Sequence, residues 1–181
     1  MNSEEANYDI PLFLQHCTKR CGPMDLHISR LSSQDLHAKV PGIQEMEHWK
    51  MNLMAVSEKH RLAIFAIKSE LHICELDLLT CRVLKLLKVV SLINDESPVN
   101  NLRLLRCAER DFIVTVDEAA YVRMVYLDNL DRDPIKFVNK HPGAPDNSTW
   151  SVDGNSNAPA RVVVGSNAHA ISVINLATNE I

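Results

Sequence analysis

His16-Cys17-x-x-x-Cys21, with His27 close by, is where the chain first gathers groups able to ligate zinc. Structural zinc sites are built from paired C-x2-C knuckles, and no second pair follows this one. The pattern reads as unrelated thiols, so no metal is assigned. Asp128, Asp131 and Asp133 cluster as acids do in a calcium loop, but the turn glycine and the closing glutamate are both missing. A solvated connection is the expectation there. Arg82, Lys85 and Lys88 form the most basic stretch, continued by Arg103, Arg106 and Arg110. Spaced along an extended edge, such charges resist edge-to-edge pairing and need no nucleic acid. Trp49 and Trp150 have the side chain that most often anchors a partner. Both stand at the start of apolar runs, where packing between neighbouring sheets is the expected role.

Nothing else has the spacing of a reaction centre. The chain holds no nucleophile elbow, phosphate-cradling glycine loop, zincin helix or kinase signature, and only 5 glycines are present to build one. No catalytic, cofactor-binding or metal residue is assigned, and the chain is not expected to be an enzyme. Its 181 residues are 46% apolar and 23% charged, with a net charge of −4, which is the make-up of a globular protein. Mild acidity argues against a phosphate-backbone binder. No apolar stretch nears the ~20 residues that cross a bilayer as a helix, and the acidic start Met1-Asn2-Ser3-Glu4-Glu5 is unlike a secretory signal. Five cysteines, an odd number, fit a reducing compartment. Protein partners are expected, with no cofactor, direct nucleic-acid contact or membrane.

The elements that position these residues fall into two regions. Residues 1–45 are polar and punctuated by Pro11, Gly22-Pro23 and Pro41-Gly42, an irregular leader with at most a short helix between Asp25 and His37. From residue 46 onward a repeat appears. A shift of 49 residues, applied twice, aligns Ile64 with Ile113 and Val162, and Phe65 with Val114 and Val163. Ile73, Val122 and Ile171 follow in the same register, as do Leu76, Val125 and Ile174. The runs are short and rich in β-branched side chains, so they read as strands. Lys68-Ser69-Glu70, Asp117-Glu118-Ala119 and Ser166-Asn167-Ala168 break them as hairpin turns do. A fourth strand per unit is expected at Arg82–Leu92 and at Ile135–Val138. Val83, Leu86, Leu87 and Val90 would also suit one helical face, but the repeat favours strand.

Four strands in a 40–50-residue period is the signature of a β-propeller blade. A lone four-stranded sheet leaves both faces bare, and only radial neighbours cover them. The expected fold is all-β: a partial β-propeller of about three WD-repeat-like blades, near 49–97, 98–146 and 147–181. Closed propellers need about four to eight blades, so a portion of a larger propeller is expected, unstable on its own.

Three segments carry a resemblance over residues 46–176. The first is Trp49-Lys50-Met51-Asn52-Leu53-Met54-Ala55-Val56-Ser57 with Arg61-Leu62-Ala63-Ile64-Phe65-Ala66 and Leu71-His72-Ile73. The second is Asn100-Asn101-Leu102-Arg103 with Ile113-Val114-Thr115-Val116-Asp117 and Val122-Arg123-Met124. The third runs from Ser148-Thr149-Trp150-Ser151-Val152 to the Ser166-Asn167-Ala168-His169 turn and Ile171-Ser172-Val173. Together they resemble fungal WD-repeat-like regulators of ribonucleotide reductase gene transcription. Gly154–Pro159 is polar where that family has a short loop, and the second hairpin lacks its usual glycine. The resemblance implies a nuclear, non-enzymatic scaffold, with the cytoplasm as the alternative site. It also implies an association with a cullin-type ubiquitin ligase, as substrate receptor or adaptor. It carries over no site residue. The competing readings are a WD-repeat-like scaffold in trafficking or ribosome assembly, and a small metal-dependent enzyme using the N-terminal Cys and His residues.

Overall fold

The computed structural model describes residues 33–47, 49–50, 52–92, 97–107, 110–141, 143–144, 147–154 and 161–175. His16, Cys17, Cys21 and His27 lie outside them, as does most of the segment where a short helix was expected. The described part of the leader holds a helix α1 (Ser33–Lys39) and a 3-10 turn (Ile43–Glu45). All the other elements are strands.

Three antiparallel sheets follow in chain order, and each is a meander. Blade 1 is β1 (Met54–Ser57), β2 (Leu62–Ile67), β3 (Glu70–Asp77) and β4 (Arg82–Ser91). Blade 2 is β5 (Val99–Cys107), β6 (Arg110–Asp117), β7 (Tyr121–Tyr126) and β8 (Ile135–Val138). Blade 3 is β9 (Thr149–Gly154), β10 (Arg161–Ser166) and β11 (Ile171–Asn175). This is a partial β-propeller. The segment Arg82–Ser91 is a strand, and two register shifts against β3 explain its helix-like spacing of leucines and valines. Each bulge adds a residue and breaks the period of two.

Two apolar seams hold the blades together. Leu62, Ile64, Ala66, Leu71 and Ile73 of blade 1 meet Leu102, Ile113, Val125 and Leu127 of blade 2. Phe112, Val114, Val116, Val122, Met124 and Phe137 of blade 2 meet Val152, Val162, Val164 and Ile174 of blade 3. Fully burying such side chains contributes about 1.5–3 kcal/mol each.

The seams correct the constant 49-residue register. Ile113 points back to blade 1 and Val162 back to blade 2, so the second step of the repeat is sound. Ile64 points forward, across the seam from Ile113, so the two are opponents and not equivalents. The true counterpart of the Ile64–Ile73 pair is Val114–Met124, offset by 50 and 51. The third blade's Val163–Val173 pair then follows at 49. The β6–β7 turn, Glu118–Ala120, holds one residue more than Lys68–Ser69. A slip of one residue swaps a strand's faces, yet these strands are apolar on both faces, so the columns still coincide.

Candidate protein-interaction surface

The leading strands β5 and β9, and the segment just before β1, bring residues one repeat apart into hydrogen-bonding distance. Lys50 Nζ donates to the Val99 carbonyl at 3.4 Å. Asn100 Nδ2 donates to the Thr149 carbonyl at 2.8 Å, and Asn101 Nδ2 to the Trp150 carbonyl at 3.3 Å. Each pair is 49 residues apart in sequence. Such bonds tie successive blades at their inner ends.

On this frame sit the two tryptophans. Their ring centroids are 6.1 Å apart with planes tilted by 45°. Trp150 Nε1 donates to Ser148 Oγ at 2.8 Å, which fixes the indole. Trp49 is 57% exposed and Trp150 39%, so the pair packs against itself and still faces solvent. The expected role in packing between blades is therefore half of the picture: the rings touch across the array and also present an open aromatic surface.

Charged groups fix what lies beneath. The Lys50 side chain is buried between Glu47 and Glu118, donating to Glu118 Oε1 at 2.9 Å, with its ammonium 5.1 Å from the Trp49 ring centre. Asp117, fully buried, accepts the Ala119 and Tyr121 amides on Oδ1 at 2.9 Å each. Its Oδ2 takes the Arg123 guanidinium, and its carbonyl accepts the Thr149 hydroxyl at 2.9 Å from blade 3. The Tyr121 ring centre lies 4.9 Å from the Arg123 guanidinium and 3.5 Å from the Lys136 ammonium. A groove of about 530 Å³ beside this framework is lined by Glu45, Glu47, Lys68, Ser69 and Pro98. Glu45 accepts a hydrogen bond from Lys68 and so raises the pKa of its ammonium.

Sequence reasoning found the tryptophans but missed Lys50, Asp117 and Arg123. The signal was present: an arginine inside the apolar run Tyr121–Tyr126 is a charge that burial forces into a pair.

Four of the six basic candidates are drawn into ion pairs. Lys85 meets Glu75 at 3.4 Å, Lys88 meets Asp131, Arg103 meets Asp153 at 4.0 Å and Arg110 meets Asp128 at 3.8 Å. Two of the three clustered aspartates, Asp128 and Asp131, serve as counter-ions. Asp131 is held below the usual carboxylate range by the hydrogen bond from Lys88. Among the described residues no group of three or more His, Cys, Asp or Glu is placed to hold a metal, and no helix is long and apolar enough to cross a membrane. The Cys74 thiol is buried, and desolvation pushes its pKa up to about 11.

With fold and surface in view, the chain can be set beside known proteins. No family model matches the chain. A curated protein of Dictyostelium discoideum, described as WD40 repeat-containing, is 27% identical over 146 residues, covering 81% of this chain. The chain spans only 20% of that relative's length. Among solved structures, one from a mitotic checkpoint complex superposes with a TM-score of 0.53 at 10% identity, over 98% of this chain and 46% of its own. A second, dihydro-heme d1 dehydrogenase NirN in complex with DHE, gives 0.51 at 11% identity, over 72% of this chain and 26% of its own. The structural matches support the propeller fold alone, and the curated relative adds similarity to a WD40 repeat protein.

Proposed function

We propose that this chain is a non-enzymatic protein-interaction scaffold, and that the Trp49–Trp150 pair anchors its partner. The observation carrying this reading is an aromatic surface left open on a rigid, hydrogen-bonded frame. Aromatic side chains on such frames supply large contact area at small entropic cost. The finer reading rests on the resemblance of the three sequence segments: a nuclear regulator of ribonucleotide reductase gene transcription, acting with a cullin-type ubiquitin ligase as substrate receptor or adaptor. Similarity to a WD40 repeat protein supports the scaffold and is neutral on the process.

Affinity purification of the full-length product, native and Trp49→Ala/Trp150→Ala, tests the proposal. Regulatory or ligase-adaptor proteins are expected with the native product and at least tenfold less with the variant. Equal recovery from both removes the tryptophan pair as anchor. Recovery of metabolic enzymes alone, or exclusion of the protein from the nucleus, overturns the finer reading.

A further inference from the structure

The two outer faces of the array are treated differently. The forward face of blade 3 is bare: Val163, Ile171 and Val173 stand exposed where Val114, Val122 and Met124 of blade 2 are buried. The backward face of blade 1 is covered, although no blade precedes it among the described residues. Val40, fully buried, joins Ala63, Phe65, Ile67, Cys74, Leu76 and Val83 in one cluster, with Leu36, Ile43 and Met46 packed on its rim. With blade 2 against the opposite face, every residue of β2 is buried.

The segment from Leu36 to Met46 is shaped and tied for this position. The Val40 amide donates to Leu36 at 2.9 Å and the Ile43 amide to Val40 at 3.2 Å, which turns the chain at the end of α1. Gly42 takes a φ of 76°, and a β-carbon there would lie 3.6 Å from Ile67 Cγ2, so the backbone rests on β2 itself. Glu45 pairs with Lys68 in the β2–β3 turn, and Glu47 holds Lys50. A blade face with no blade against it needs another cover for its apolar side chains, and this segment supplies one.

We propose that Leu36–Met46 is an N-terminal cap that takes the place of a neighbouring blade against β2–β4. While it is seated, no further blade packs on that face. Its cover is partial. Met54 and Val56, whose partners in β2 are Phe65 and Ala63, remain largely exposed on the innermost strand. Both blade–blade seams, by contrast, include residues of the leading strands, Leu102 of β5 in one and Val152 of β9 in the other.

Alkylation of Cys74 with a maleimide, read peptide by peptide by mass spectrometry, tests the cap in the full 181-residue chain. Cys81, which is exposed, serves as the reactive standard. Cys74 is expected to be protected in the native chain and at least tenfold faster in Val40→Asp. Amide exchange at Ile113 and Val114, in the strand shared by the two seams, is expected to stay unchanged. Labelling of native Cys74 at the Cys81 rate overturns the cap, as does an unaltered rate in Val40→Asp. Should the charged variant unfold the sheets, Val40→Ala is read in its place. A rise confined to Cys74 supports the cap, and an equal rise in exchange at Ile113 refutes it. In a longer product with further blades the same substitution discriminates again: a blade seated there would make Cys74 indifferent to residue 40, and the proposal would fall.

Discussion

At the scale of single residues the structure stands on a few buried polar groups whose partners are specific. Arg123 is almost wholly buried, with Asp117 as its counter-charge. Neutralising one member of such a pair strands the other in a low-dielectric seam, at a cost of about 3–5 kcal/mol. Asp117→Asn should therefore lower the urea midpoint by that equivalent, whereas Asp117→Asn with Arg123→Met should recover a large part of the loss. Equal midpoints for the single and double variants would contradict this. Gly165 gives a second, geometric case. A β-carbon at this position would lie 2.5 Å from Ser151 Oγ, while Ser151 Cβ is 3.8 Å away. Gly165→Ala should destabilise blade 3, and Ser151→Ala, which removes only the clashing oxygen, should restore it. Thermal melts of the two single variants and their combination measure the coupling.

At the scale of elements, the strands were legible from the sequence and their facing was not. β-Branched runs and polar breaks placed β2, β3, β6, β7, β10 and β11. The same apolarity on both faces hid the one-residue slip between blades 1 and 2, because Ile64 and Phe65 are equally suited to burial. Arg82–Ser91 was ambiguous because two bulges imitate a helical period. Lys50 and Asp117 were invisible as a framework because their cross-blade partners, Glu118 and the Thr149 hydroxyl, lie 68 and 32 residues away. The cover that Val40 and Ile43 give to blade 1 carries no periodic signal at all. The turn joining β3 to β4 yields a pH prediction. Asp77 accepts the Thr80 hydroxyl at 2.6 Å and the Leu79 amide at 3.0 Å, and both hold its carboxyl below its ordinary 3.8. A depressed carboxylate stabilises fully above its unfolded pKa, and that contribution disappears as the pH falls through the folded value. The Leu79 and Thr80 amide signals should titrate by NMR with a midpoint below 3.8. A midpoint at or above it would show that the turn is not capped this way.

At the scale of the whole molecule, the asymmetry of the two ends governs behaviour in solution. Val163, Ile171 and Val173 are 43%, 77% and 51% exposed on one face of blade 3. Adjacent apolar groups of this size favour association. The 181-residue polypeptide should self-associate in light scattering, and Ile171→Lys with Val173→Lys should suppress that with the far-ultraviolet spectrum unchanged. A monomeric native chain would refute the expectation. The indole pair has its own consequence. Trp49 and Trp150 are the only two tryptophans in the chain, and they are neighbours in space although 101 positions separate them. Intrinsic emission from this protein therefore comes from one spot, which exists only when the first and third sheets are assembled around the second. Ultraviolet fluorescence is a built-in gauge of that assembly, needing no label, and it would register the loss of either flanking sheet before the average secondary structure changed.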